Sequence, residues 1–195
     1  MTRLDQIDVW NAEAAAFDDA PDHGLLDAGV RAAWRALLVD VLPAAPARIA
    51  DLGSGTGTLS LLLAAEGDRV DGVDFSPEMV RLAREKATGV AGVCFVEADA
   101  AAPPLPPASY DVVLCRHVLW AMPDPADALA RWIELLAPGG MLLLVEGRWS
   151  NEAGLRGAET VALVEATGRR ATLRPLPEAI YWGREITDER YLVVS

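Results

Sequence analysis

The sequence predicts an α/β fold built on a parallel sheet. Two observations carry this. Short apolar runs of strand length alternate with segments of helical spacing, and cap-plus-proline or proline-glycine signals stand between them, as at Ser76-Pro77, Asp124-Pro125 and Pro138-Gly139-Gly140. A third observation points to a ligand. Residues 51–57 read Asp-Leu-Gly-Ser-Gly-Thr-Gly directly after the first apolar run, and glycine has no side chain to bury, so three at alternate positions suggest that something comes close to this backbone.

Residues 4–17 have weak amphipathic spacing, with Leu4, Ile7, Val9, Trp10 and Phe17 as the apolar members. Residues 25–41 are more regular, with Val30, Trp34, Leu37 and Leu38 on one helical face. Residues 48–52 read as the first strand, 57–66 as an apolar helix and 69–74 as a second strand. Ser76 is a natural N-cap and Pro77 a natural first helical residue for a helix over 77–88, on which Met79, Leu82 and Ala83 share a face. A third strand is expected at 92–97, and the proline-rich loop 103–107 cannot continue it.

Residues 110–115 are apolar enough for a strand covered on both faces. A helix then runs from Asp124-Pro125 to about residue 136, Pro138-Gly139-Gly140 ends it, and a fifth strand spans 141–146. Residues 155–167 read as a helix. Residues 171–176 and 190–194 read as strands able to pair antiparallel at the sheet edge.

At 195 residues, with 52% apolar and 24% charged residues, the chain suits one domain with a real core. It has no apolar run long enough to span a bilayer, and its mixed, acidic start lacks the apolar core of a signal peptide, so the cytoplasm is the expected location. A net charge of −12 repels phosphate backbones and anionic lipid surfaces, which argues against nucleic acid or membrane as partner. Cys94 and Cys115 lie in apolar runs and are expected to be reduced core thiols. Cys115-x-His117 brings a metal to mind, but two His and two Cys do not make a convincing ligand set, and no metal is expected.

A strand, a glycine-rich turn and a helix make a cradle for a nucleotide-like ligand. Dinucleotide enzymes want G-x-G-x-x-G, and the third glycine is missing here: position 58 is Thr and position 60 is Ser. Asp51 at the mouth of the turn suits an ammonium-bearing ligand and disfavours a pyrophosphate. Asp74 ends the second strand about 20 residues beyond Gly53, where a carboxylate can accept from both hydroxyls of a ribose. Asp99, after the third strand, can accept from the exocyclic amine of adenine.

Together these segments resemble the class I S-adenosylmethionine (SAM)-dependent methyltransferases. The resemblance covers about residues 48–147, through DLGSGTG, GVDFSPEMV, VEADA, SYDVVLCRHVLW and LAPGGMLLLVEG. It is closest to the branch called methyltransferase type 11, similar to the ubiquinone/menaquinone methyltransferases. It implies a Rossmann-like, seven-stranded, mostly parallel sheet with helices on both faces and an antiparallel C-terminal edge strand. Residues 1–47 would form a helical lid, 48–147 the SAM-binding core, and 148–195 a C-terminal helix and strand pair, all in one methyltransferase domain.

The resemblance also implies roles. Gly53, Ser54, Gly55 and Gly57 would line the methionine part of SAM, with Asp51 near its amino group. Asp74 would hold the ribose, Phe75 and Met79 would pack on adenine or ribose, and Ala98, Asp99 and Ala100 would face the adenine edge. Cys115 or Arg116 would offer a backbone carbonyl to the ammonium. Met79 is equally well explained as core, from its place on an apolar helix face.

On the acceptor side the chain departs from relatives that carry His-His before Pro123-Asp124-Pro125, since the equivalent residues here are Trp120 and Ala121. His117 is either a general base or a histidine satisfied beside the cofactor, and both readings stay open. Trp10, Phe17 and His23 in the lid, with Trp120, Trp149 and Tyr181 opposite, are the candidate substrate-pocket residues. The expected function is methyl transfer from SAM to a small-molecule acceptor by in-line displacement. The alternatives are an NAD-type oxidoreductase and a SAM-binding protein without turnover. The oligomeric state and the atom methylated are not legible in the residues.

Overall fold

In the computed structural model, which describes residues 3–195, seven strands form one sheet. They are β1 (Arg48–Leu52), β2 (Arg69–Asp74), β3 (Val93–Glu97), β4 (Tyr110–Arg116), β5 (Leu136–Arg148), β6 (Thr172–Pro175) and β7 (Glu189–Val194). The helices are α1 (Arg3–Glu13), α2 (Pro21–Gly24), α3 (Ala28–Val41), α4 (Thr58–Ala65), α5 (Pro77–Lys86), α6 (Pro125–Glu134), α7 (Gly157–Glu165) and α8 (Ala179–Trp182).

The strand order is β3-β2-β1-β4-β5-β7-β6. Strands β1 to β5 pair parallel, whereas β7 runs antiparallel to both β5 and β6. From β1 the chain steps outward to β2 and β3, then returns to lay β4 on the other side of β1. That reversal opens a crevice at the carboxyl ends of β1 and β4, the switch point where ligands bind in open α/β sheets.

Residue alternation divides the core between the two sheet faces. Val112, Leu114, Leu143 and Val145 point to the face covered by α3 and α4, among Trp34, Leu38, Leu59 and Leu62. Val113, Cys115, Leu142 and Leu144 point to the opposite face, among Leu129, Trp132 and Val164 of α6 and α7. Strands buried on both sides are why β4 and β5 read as continuous apolar runs.

Trp34 is fully buried and its Nε1 donates to the Tyr181 carbonyl at 2.7 Å, which pins α3 to the C-terminal α8. Replacing a tryptophan so placed by alanine costs roughly 3–5 kcal/mol.

The helix starts follow from their caps. Ser76 accepts from the Met79 amide, Asp124 from the Ala126 and Asp127 amides, and Asp27 from the Gly29 and Val30 amides. Each satisfies donors a helix leaves unpaired, and Pro77 and Pro125 occupy positions where no amide is needed.

The structure corrects three local expectations. The helix expected over 4–17 ends at Glu13, continues as a 3₁₀ turn over Ala14–Asp19, and restarts as α2. Pro21 is the reason, since it holds Ala20 extended (φ −69°, ψ 129°). The helix α6 stops at Glu134, and β5 begins at Leu136. Pro138-Gly139-Gly140 is therefore an irregular stretch of β5, next to a register shift against Tyr110 and Val112, rather than a turn before it. Cys94 is exposed, not buried: it lies on the edge strand β3, with its Sγ 2.9 Å from Asp71. As expected, the two C-terminal strands pair antiparallel at the sheet edge, with β7 lying between β5 and β6. Among the described residues no helix is long and apolar enough to cross a membrane.

Candidate functional site

The turn after β1 is left-handed at each glycine, with φ of 73° at Gly53, 55° at Gly55 and 78° at Gly57. The three serve different neighbours. A Cβ on Gly53 would meet Val118 at 2.3 Å, so this glycine lets the loop after β4 approach the tip of β1. A Cβ on Gly55 would sit 3.2 Å from Phe17, which lies in the N-terminal 3₁₀ turn. At Gly57 a side chain would strike Phe95 at 2.5 Å and Ala83 at 3.1 Å, so its smallness seats the start of α4.

The Gly53 and Ser54 amides both donate to the Val73 carbonyl, at 2.8 and 3.0 Å. Asp74 completes the tie: its Oδ2 accepts from the Gly55 amide at 2.8 Å and its Oδ1 from the Ser76 amide at 2.9 Å. Burial pushes this carboxyl up, against the pull of those amides. Each carboxylate oxygen carries two lone pairs, so Asp74 keeps acceptor capacity for a diol.

Asp51 is buried, accepts from Ser60 Oγ at 2.5 Å, and is pushed up to about 6 by desolvation, opposed by Ser60 and by the charge of Arg116. Ser54 Oγ and Arg116 Nη1 are buried with no protein partner among the described residues. Such orphaned polar atoms fit the amino-acid tail of a zwitterionic ligand. Asp51, Ser54 and Arg116 border one recess with Phe17 and His23.

A cavity of about 470 Å³ opens at these strand tips. Asp74, Phe75, Met79, Asp99 and Ala100 border one end, and Gly53, Arg116, His117 and Val118 the middle. From the N-terminal segment, Gln6, Trp10, Phe17 and His23 close it. Its size and mixed lining are those of a small-molecule or cofactor site. Asp99 Oδ1 also accepts from the Ala101 amide at 2.9 Å, which orients its carboxylate.

Residues 50–144 match the family model described as a methyltransferase domain. A demethylmenaquinone methyltransferase of Thermus thermophilus is 42% identical over 126 residues, covering 63% of this chain and 57% of that protein. Residues 50–144 thus carry a methyltransferase domain similar to those of the class I SAM-dependent methyltransferases. A trans-aconitate 2-methyltransferase of Streptomyces coelicolor is 41% identical over 108 residues, covering 53% of this chain and 35% of that protein. The chain thus spans little more than half the length of the first of these relatives and about a third of the second. A crystal structure of a SAM-dependent methyltransferase from Aquifex aeolicus aligns over 94% of this chain and 96% of that one, with a TM-score of 0.72 and 18% identity, a likeness of fold.

In this chain the N-terminal segment is fastened over the glycine turn. Lys86 Nζ reaches Asp18 Oδ2 at 2.7 Å and Thr56 Oγ1 at 2.9 Å, and Thr56 Oγ1 donates to Asp18 Oδ1 at 2.5 Å. Asn11 Oδ1 accepts from Ser76 Oγ at 2.7 Å. Phe17 stacks on His23 (centroids 4.3 Å apart) and meets Trp10 edge-on at 6.2 Å.

His117 has a positive φ of 60°, unusual for a residue with a side chain, and its Nε2 is buried without a hydrogen-bond partner among the described residues. Burial, then the charges of Arg116 and Arg190, hold its pKa well below the ordinary value, so its ring is neutral at pH 7. The remaining sequence candidates stand off the cavity. Trp120 and Trp149 lean on each other at 5.3 Å, Tyr181 packs edge-on to Trp34, and Trp149 meets His117 at 5.1 Å as a wall behind it. Ala98 is part of the apolar layer next to the core, with its amide donating to the Asp74 carbonyl, and Cys115 is fully buried beneath Arg116.

Several residues at the site escaped sequence reasoning. Arg190 lies between Trp149 and Trp182, 5.0 and 5.2 Å from the ring centroids. Glu146 is fully buried and pushed up to about 8 by desolvation, while its Oε1 accepts from the Val118 and Leu119 amides at 3.0 and 2.8 Å. It thereby holds the loop that borders the cavity. A carboxylate closing a run as apolar as Met141–Val145 was the available signal. Asp22, adjacent to His23, was the other.

Proposed function

We propose that this chain transfers a methyl group from SAM to a small organic acceptor by in-line displacement at the sulfonium. The observation that carries the reading is the union of the β1 and β2 tips: Asp74, tied to the Gly55 amide, borders the same cavity as Asp99 and the buried Arg116. Asp74 would hold the ribose, Asp99 and Ala100 the adenine edge, Phe75 and Met79 the flat faces, and Gly53, Ser54 and Arg116 the amino-acid tail. Because the sulfonium already makes the methyl group electrophilic, the protein's main task is alignment, worth on the order of 7 kcal/mol in favourable cases.

A small acceptor is supported by the names of the relatives, one a menaquinone-precursor enzyme and one an aconitate enzyme. It is also supported by the net charge of −12, which disfavours nucleic acid and anionic lipid surfaces. We place the activity in the cytoplasm, in keeping with two free thiols. The N-terminal segment serves as the lid, and residues 3–195 work as one catalytic unit.

Neutral His117, bordering the cavity, is the candidate base for an acceptor that must lose a proton. The test is calorimetric titration with SAM, followed by incubation with methyl-labelled SAM and a panel of phenols, carboxylates, amines and thiols. Micromolar SAM binding and label in an organic product are expected. No SAM binding by folded protein overturns the reading, and binding without transfer across the panel replaces it with a SAM-binding protein lacking turnover.

A further inference from the structure

The chain has only two histidines, and the fold brings them together. His23 lies on α2 and His117 on the loop after β4, yet one ring nitrogen of each, with a carboxylate oxygen of Asp22, lie within 4.8 Å of one another. We propose that Asp22, His23 and His117 form a binding site for one divalent transition-metal ion, which would hold an oxygen of the methyl acceptor beside the cofactor cavity.

The donor set is chemically coherent. Two imidazoles and one carboxylate are the protein ligands of many catalytic zinc and iron sites, which leave further positions open for water or substrate. His117 Nε2 is buried and lacks any protein partner among the described residues, the state expected of a ligand atom awaiting its ion. The ring is also fixed in direction, stacked on Trp182 and held edge-on by Trp149. The left-handed backbone at His117 is a strain of the kind kept at functional positions.

Charge and geometry both permit an ion. Arg116 interacts with Asp18, Asp22 and Asp51, and Arg190 with Asp188, Asp22 and Arg184, so carboxylates offset part of the guanidinium charge beside the cluster. His23 Nε2 and Asp22 Oδ2 are 3.9 Å apart. Ligand atoms about 2.1 Å from a zinc ion lie about 3.4 Å from one another, so the site needs only a small contraction, and the four-residue α2 is the element able to supply it. Both histidines border the cavity with Arg116. An ion there would face the acceptor end and not the adenine end, favouring acceptors with a hydroxyl or carboxylate oxygen.

The acceptor role rests on the methyltransferase reading; the ion site itself does not. The test uses the full chain, stripped with chelator, dialysed against zinc or cobalt(II) chloride, and assayed for bound metal by mass spectrometry. Long-range nitrogen NMR of the two imidazoles follows in parallel. We expect about one ion per chain, shifts of both histidine rings, and visible cobalt absorption. His23→Ala and His117→Ala should each weaken zinc binding by roughly a hundredfold, and Asp22→Asn by roughly tenfold. Circular dichroism and SAM titration report folding of each variant.

No bound ion and unmoved imidazole resonances in folded wild-type protein overturn the proposal. So does metal binding that survives the double substitution of both histidines. An ion bound by protein that ignores SAM would leave the metal site standing and remove the methyltransferase reading, whereas SAM binding without an ion does the reverse.

Discussion

The carboxylate of Asp74 accepts the Gly55 amide at 2.8 Å, so the end of β2 grips the turn that follows β1. A single acid therefore shapes the backbone cradle and borders the cavity. Asp74→Ala removes both and leaves the Gly55 and Ser76 amides unpaired, a loss of roughly 1–3 kcal/mol in stability. SAM affinity should fall more than tenfold by calorimetry. A folded variant with unchanged affinity would remove Asp74 from the ribose.

Asp18 is held by Lys86 and Thr56 across the glycine turn. The ion pair is about a third exposed on each side, so solvent screens it and its share of global stability is under about 1 kcal/mol. Asp18→Ala should therefore loosen the segment without unfolding the protein. Hydrogen exchange should quicken within residues 3–24 and hardly change in β1, β4 and β5, and SAM should dissociate several-fold faster. Equal exchange in wild type and variant would show that the lid is held elsewhere.

Glu146 sets a pH dependence of known sign. Its folded pKa is raised by burial to about 8, above the ordinary 4.5, so the folded state keeps a proton that the unfolded state has lost. Its stabilising contribution is fully present below pH 4.5 and declines as pH rises through 8, by on the order of 5 kcal/mol. Asp51, raised to about 6, acts in the same direction at lower pH. Glu146→Gln keeps an oxygen for the Val118 and Leu119 amides and cannot ionise. Its melting temperature should fall less than that of the wild type between pH 5 and 9; parallel curves would remove Glu146 as the cause.

Gly57→Ala tests whether this glycine serves packing or ligand. A methyl group there meets Phe95 at 2.5 Å on a backbone with φ 78°, at a cost of roughly 2 kcal/mol or more. Stability should fall while SAM affinity, measured below the melting transition, changes less than threefold. A tenfold affinity loss would return Gly57 to the ligand.

His117→Ala separates a role in deprotonating the acceptor, as free base or as ligand of the ion, from a spatial one. Turnover at saturating acceptor should fall at least tenfold for hydroxyl acceptors, with thiolate acceptors less affected because they bring no proton to remove. Retained turnover with both classes would make the ring a bystander.

The order of strands and helices, the caps at Ser76 and Asp124, and the acid at the tip of β2 were legible in the residues, because each depends on neighbours within a few positions. Periodicity, proline geometry and side-chain-to-amide bonds are local, and the matching family segments are contiguous. What tertiary structure decided was everything that joins distant segments. His23 meets His117, Arg190 slides between Trp149 and Trp182, and Glu146 reaches back to the loop at Val118. Gly57 faces Phe95, Trp120 leans on Trp149, and Tyr181 packs edge-on to Trp34. These pairings arise from the sheet's reversal between β1 and β4 and from β7 inserting beside β5, both set by how the two cores close and not by any pattern within one segment.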